Sequence, residues 1–138
     1  MQPQYTIEYS NPLRTHSTHI KSGNIIITDA PTDNHGKGEA FSPTDLLSVS
    51  LVTCAMTILG ITSQAGPAEI LSMSAYVSKE MGNSPRHVEK ISALIKVHLK
   101  GGDKSEHERM ERAARACPVA KSLSSELVQN LEFQFIIE

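Results

Sequence analysis

Ser42-Pro43-Thr44-Asp45-Leu46-Leu47-Ser48-Val49-Ser50-Leu51-Val52-Thr53-Cys54-Ala55-Met56-Thr57-Ile58-Leu59-Gly60-Ile61 reads as one helix. Ser42 is a natural N-cap and Pro43 suits the first helical position. Asp45 completes a capping box of the S-x-x-D kind. After Asp45 no charged side chain occurs until Glu69. The apolar residues Leu46, Leu47, Val49, Leu51, Val52, Met56, Ile58, Leu59 and Ile61 point around most of the helix rather than along one stripe. A helix apolar on every side is a buried one. Ser48, Ser50, Thr53 and Thr57 dilute the run too much for a membrane span. The expectation is a central core helix carrying Cys54 about three turns from its start.

Outward from this helix, 138 residues suit a single domain, 1–138, with one core. Three Tyr, three Phe and no Trp make that core aliphatic. A net charge of −2 with no dense basic patch argues against a nucleic-acid partner. Met1-Gln2-Pro3-Gln4-Tyr5 lacks the charged and apolar regions of a signal peptide, so a cytoplasmic location is expected. Two cysteines in that compartment are more often reduced or redox-active than structural.

Before the helix, Tyr5, Ile7 and Tyr9 alternate with Thr6, Glu8 and Ser10 as in a half-buried strand. Asn11-Pro12 signals a turn. Strands over Arg14–Ile20 and Ile25–Thr28, joined at Ser22-Gly23-Asn24, complete an antiparallel meander. Pro31 to Gly38 is a polar loop whose Gly36-Lys37-Gly38 is too short for a phosphate loop. After the helix, Ile70–Lys79 and His87–Lys100 read as long strands around a hairpin loop, Gly82-Asn83-Ser84-Pro85. A charged helix follows from about Ser105 to Ala116, then a short helix from Pro118 to about Gln129. Leu131, Phe133, Phe135 and Ile137 alternate in a last strand. The sum is an α+β fold with antiparallel sheets around one long buried helix. A domain this small does not cover such a helix on all sides, so a homodimer is expected.

The two cysteines differ in setting. Cys54 inside the helix has an ordinary reading as a small buried hydrophobe beside a functional one. Cys117 stands before Pro118 at a helix N-cap, where free N–H groups and the helix dipole favour a thiolate and a lowered pKa. Its ordinary reading is a residue that merely ends the preceding helix. Spacing alone leaves open whether the two meet. The pair His16 and His19 falls on opposite faces of a strand, so no metal site is expected. Arg109, Arg112 and Arg115, interleaved with Glu106, Glu108 and Glu111, read as a solvated face held by ion pairs.

Phe41-Ser42-Pro43-Thr44-Asp45-Leu46-Leu47, Cys54 on the same helix, and Ala116-Cys117-Pro118-Val119-Ala120-Lys121-Ser122-Leu123 together resemble the OsmC/Ohr superfamily of osmotically inducible and organic hydroperoxide resistance proteins. The resemblance covers nearly the whole chain, including the order of its elements. It implies an intertwined homodimer and a thiol-dependent peroxidase acting on organic hydroperoxides. It makes Cys54 the peroxidatic and Cys117 the resolving cysteine, joined as a disulfide on oxidation, and Arg14 the arginine of the site. An external thiol or dithiol would be the reductant, with no cofactor and no metal. The family's peroxidases carry a Glu directly after the helix-opening Pro, where it holds the arginine. Here that position is Thr44, and Asp45, one residue further on, is the candidate carboxylate partner. Two alternatives stand beside the enzyme: a non-catalytic dimer of the same fold that binds an apolar small molecule, and a thiol redox sensor.

Overall fold

A computed structural model describes residues 1–138. The chain divides into two compact units, residues 1–47 and 48–138.

In the first unit, β1 (Tyr5–Ser10), β2 (Arg14–His19) and β3 (Ile25–Asp29) form the expected antiparallel meander in the order β1-β2-β3. The β2–β3 register opposes Arg14 to Asp29 and His16 to Ile27. Gly23, at φ +77° in the connecting turn, takes the left-handed conformation that the Ser22-Gly23 pair foretells. The half-buried reading of the first strand needs correction, because Tyr5, Ile7 and Tyr9 are 60%, 69% and 60% exposed. A three-stranded sheet without a second layer in its own unit leaves its alternating residues open. Ile25, Ile26 and Ile27 of β3 are exposed too. The loop after β3 turns back on itself. Gly38 N–H donates to the Ala30 carbonyl at 3.2 Å, and Asp29 N–H donates to the Phe41 carbonyl at 3.1 Å. A Cβ at Gly36 would be driven into the Ala30 carbonyl, so the loop closes only with glycine there.

The helix α1 (Pro43–Gln64) opens as its sequence dictates. Ser42 Oγ accepts from Asp45 N–H at 3.0 Å, and Asp45 Oδ2 accepts from Ser42 N–H at 2.9 Å, a reciprocal capping box. By length and composition α1 is the one helix that could cross a membrane. It is instead anchored as a core element. Ser48, Leu51, Val52, Ala55, Leu59, Thr62 and Ser63 form a buried stripe, and Leu51, Ala55 and Leu59 have no exposed surface. The expectation of burial on every side is met on this side only. Thr53 and Thr57 are exposed, their hydroxyls donating back to the Val49 and Thr53 carbonyls, and Ile61 is 57% exposed.

In the second unit, β4 (Glu69–Gly82) and β5 (His87–Lys100) pair as a long antiparallel hairpin. Ile91, Ala93, Ile95, Val97 and Leu99 of β5 all turn inward and are buried. β6 (Val128–Ile137) lies on the other side of β5, giving the order β4-β5-β6. It runs parallel to β5, with Ala93 opposite Leu131 and Val97 opposite Phe135. The second sheet is therefore mixed, a correction to the all-antiparallel expectation. The reason is the crossover: α2 (Lys104–Arg115) and α3 (Pro118–Ser122) carry the chain back to the start of β5 before β6 begins. α3 is shorter than the sequence reading, ending at Ser122 rather than near Gln129. Leu123 is already extended, and Leu127 N–H closes a turn on the Ser124 carbonyl just before β6.

α2 starts at Asp103, whose carboxylate accepts from Glu106 N–H at 3.0 Å. It buries Met110 and Ala114 and lies along β6. There His107 stacks on Phe135 at 5.4 Å and the Arg115 guanidinium sits 4.9 Å from the Phe133 ring. The charged face is not wholly solvated. Glu106 is buried, paired with Arg109 at 2.8 Å, and Arg109 Nη2 reaches the Thr62 carbonyl near the end of α1 at 3.5 Å. The pair thus supplies a cation to the carbonyl end of the long helix.

Candidate active site

Cys54 sits half-buried on the third turn of α1, and Cys117 is wholly buried at the N-cap of α3. The chain enters Cys117 from the end of α2, where its N–H donates to the Ala114 carbonyl at 3.2 Å. Pro118 then opens α3, whose first turn closes as Lys121 N–H donates to the Cys117 carbonyl at 3.1 Å. This fixes the sulfur against α1: Cys117 Sγ–H points at the Leu51 carbonyl, 4.0 Å away and one turn before Cys54. The Cys54 side chain lies near enough to Cys117 to act on its pKa. Two cysteines 63 positions apart in sequence are thus brought together as free thiols.

The lowered pKa expected for Cys117 from its helix N-cap is not what this environment produces. Burial pushes the thiol up; the N–H groups of Ala120 and Val119 pull it down without overcoming that, and the Cys54 thiol raises it further. A five-residue helix offers little dipole, and a wholly buried sulfur loses its hydration in full. Burial therefore favours the neutral thiol form of Cys117.

Arg14 opens β2 in the first unit, and its partner is a residue that sequence reading missed. Asp29, the last residue of β3, accepts from Arg14 Nε at 2.7 Å and from Nη2 at 2.8 Å. Glu39 adds a longer contact at 3.9 Å from Nη2, and its own N–H donates to Asp29 Oδ2 at 3.1 Å. Asp29 is only 2% exposed. Its hydrogen bond to Arg14 holds its pKa below the ordinary carboxylate value against the opposing effect of burial. The charge of Arg14, the Glu39 N–H and the charge of Lys37 help in the same direction. The carboxylate singled out from the sequence, Asp45, engages Ser42 N–H in the capping box, and Thr44 Oγ1 lies 3.1 Å from Ser42 Oγ. Asp29 carries no motif, but counting outward from the Ser22-Gly23 turn sets it opposite Arg14.

The chemical capacities follow. Two neighbouring thiols can give up two electrons to an oxidant and become a disulfide. A guanidinium gripped along its Nε–Nη2 edge presents its Nη1 edge in a fixed direction.

Among curated proteins nothing matches this chain. Among solved structures, a candidate osmotic stress induced and detoxification response protein from Psychrobacter arcticus is 39% identical, with a TM-score of 0.86 over 96% of each chain. The OsmC-like protein of Mycoplasma pneumoniae shares the fold at 15% identity, with a TM-score of 0.79 over 99% of this chain and 98% of the other. The organic hydroperoxide resistance protein OhrB of Bacillus subtilis shares it at 18% identity, with a TM-score of 0.61 over 97% and 98% of the two chains. A family model described as OsmC-like protein matches residues 36–132, from the loop before α1 to the middle of β6 and so across both cysteines. The helix with its capping box and Cys54, the crossover that delivers Cys117, and these matches agree, and the chain belongs to the OsmC-like family.

Proposed function

We propose that the protein is a thiol-dependent peroxidase that reduces organic hydroperoxides. The observation that supports this reading most is the nearness of Cys54 to Cys117, two free thiols of which one is half-buried and one wholly buried. In the proposed reaction the Cys54 thiolate attacks the distal oxygen of ROOH, the O–O bond breaks, and RO⁻ leaves and takes up a proton as ROH. Cys54 is then a sulfenic acid. The Cys117 thiol condenses with it, an S–S bond forms, and water departs. Two equivalents of an external thiol, or one dithiol, reduce the disulfide and return both cysteines. The raised pKa of Cys117 suits the second role, because it keeps that sulfur protonated and unreactive until a sulfenic acid stands beside it.

Arg14 is proposed as the cation that binds the hydroperoxide, a role suited to a group that stays charged and is held rigidly by Asp29. A homodimer is part of the same reading. Its support is the apolar surface a single chain leaves open: Tyr5, Ile7, Ile25 and Ile26 on the meander and Ile61 on α1.

The test is intact-mass analysis after one equivalent of an organic hydroperoxide. Wild type is expected to lose two hydrogens as the disulfide forms. Cys117→Ser is expected to gain one oxygen at Cys54 and stop. Cys54→Ser is expected to stay unmodified. A wild type that neither forms a disulfide nor oxidises at Cys54 excludes the enzyme, and the apolar-ligand dimer becomes the better reading. A disulfide that forms but is not turned over by any dithiol favours the redox sensor.

A further inference from the structure

We propose that Asp29 is the positioning residue for Arg14, a strand-borne carboxylate that orients the guanidinium for the hydroperoxide. The inference rests on the peroxidase reading for its function, though the clamp itself can be tested apart from it.

Four observations within the first unit carry it. First, the contact is two-pronged, at 2.7 and 2.8 Å, and engages the Nε–Nη2 edge. Such a fork fixes the plane of the guanidinium as well as its position, which a single contact does not. Second, the two residues are direct cross-strand neighbours, so the backbone of β2 and β3 sets their separation before either side chain chooses a rotamer. Third, Asp29 is itself held. Its Oδ2 accepts from Glu39 N–H at 3.1 Å and its own N–H donates to the Phe41 carbonyl at 3.1 Å. The second of these bonds ties the end of β3 to the residue before the Ser42 N-cap of α1. Fourth, Asp29 is buried while Arg14 is about one-third exposed, 2% against 32% at the side chain. The anchoring end of the pair is inside and the cation reaches outward.

Burying a carboxylate this deeply is costly unless it is paired. A buried ion pair that served stability alone could be replaced by well-packed apolar residues. What the charged pair provides beyond that is direction. With Nε and Nη2 engaged, the Nη1 edge is turned away from the carboxylate and keeps its donors for a further acceptor, such as a peroxide oxygen. Because Asp29 offsets the charge of Arg14, hydrogen-bond direction is what Arg14 supplies. The fitting substrate is therefore neutral ROOH rather than an anion.

Two measurements test the proposal. With ¹⁵N-labelled arginine in the full chain, Arg14 Nε–H is expected as a slowly exchanging resonance in wild type that is lost in Asp29→Asn. An unprotected Arg14 Nε–H in wild type overturns the clamp whether or not any variant folds. The second measurement is the rate of Cys54 oxidation by an organic hydroperoxide in a double-mutant cycle. Asp29→Asn is expected to slow it roughly tenfold to a hundredfold, the range for a misplaced reacting group. In the Arg14→Met background the same change is expected to have no further effect. Arg14→Lys, which keeps the charge and loses the fork, is expected to be slowed as Asp29→Asn is. Equal losses from Asp29→Asn in both backgrounds, or an Arg14→Lys as fast as wild type, overturn the positioning role. A wild type with the protected resonance but no reaction with the hydroperoxide overturns the positioning role and the peroxidase reading together, and leaves the clamp as a structural pair.

Discussion

Asp29, Asp103 and Glu106 all have pKa values below the ordinary carboxylate value in the folded chain, through Arg14, through the Glu106 N–H and through Arg109 respectively. A folded-state pKa below the unfolded one means that the stabilisation is present above the unfolded value, about 4, and is lost as pH falls through the folded value. Stability should therefore decline on acidification below about pH 4, where the unfolded chain binds protons that the folded chain resists. In Asp29→Asn that decline is expected to be shallower, although stability at neutral pH is lower. Urea unfolding at a series of pH values measures both, and an unchanged acid slope would mean that the Asp29 shift does not contribute. Cys117 has the opposite sign. Its thiol is raised, so its contribution is present below the unfolded thiol pKa and is lost as pH rises through the folded one. Sequence reading singled out Cys54 and Cys117 by the motifs around them, and Arg14 by the resemblance and its offset from Gly23. It misjudged the acidity of Cys117 because N-cap position is legible in a sequence while depth of burial is not. It missed Asp29 because an aspartate closing a strand looks like ordinary turn chemistry until the strands are paired.

At the scale of elements, α1 and the β4–β5 hairpin were legible because their signals are local: a capping box, an uncharged run, strict alternation and a Gly-Asn-Ser-Pro turn. The direction of β6 was not, because alternation reads the same forwards and backwards. The end of α3 was overshot because Val119, Ala120, Leu123 and Leu127 keep a helical spacing that the chain leaves after Ser122. α1 joins the core to the site. Leu51 buries its side chain completely while its carbonyl receives the Cys117 thiol. Leu51→Ala is expected to cost about 2–5 kcal/mol in chemical denaturation, as a large-to-small change in a closed core does. It should also loosen Cys117, seen as faster alkylation of that thiol. A loss below about 1 kcal/mol would mean that the surroundings collapse into the space, and that α1 is not rigidly packed there.

At the scale of the whole molecule, one chain leaves an unusual amount of its apolar side chains open, and they are not scattered. Tyr5, Ile7, Tyr9, Ile25, Ile26 and Ile27 all belong to one small sheet. By the strand register Ile25 and Ile27 face one side of it and Tyr5, Ile7, Tyr9 and Ile26 the other, and exposed apolar clusters such as these four mark interaction surfaces. If a second copy covers them, Ile7→Lys with Ile26→Lys should give a monomer in analytical ultracentrifugation, and the wild type should dissociate only on strong dilution. A wild type that stays folded and monomeric at micromolar concentration excludes the dimer.

The same residues determine how the protein reports on itself to light. It has no tryptophan, and its three tyrosines are Tyr5, Tyr9 and Tyr76, between 60% and 69% exposed. Its near-ultraviolet emission therefore arises at its surface. Tyr5 and Tyr9 emit from the meander, and Tyr76 from the second sheet, where the Lys96 ammonium stands 5.6 Å from its ring. A dye-free quenching experiment accordingly reads what covers the meander and the Tyr76 surface of the second sheet, while the aliphatic interior around Leu51 and Leu59 contributes no emission.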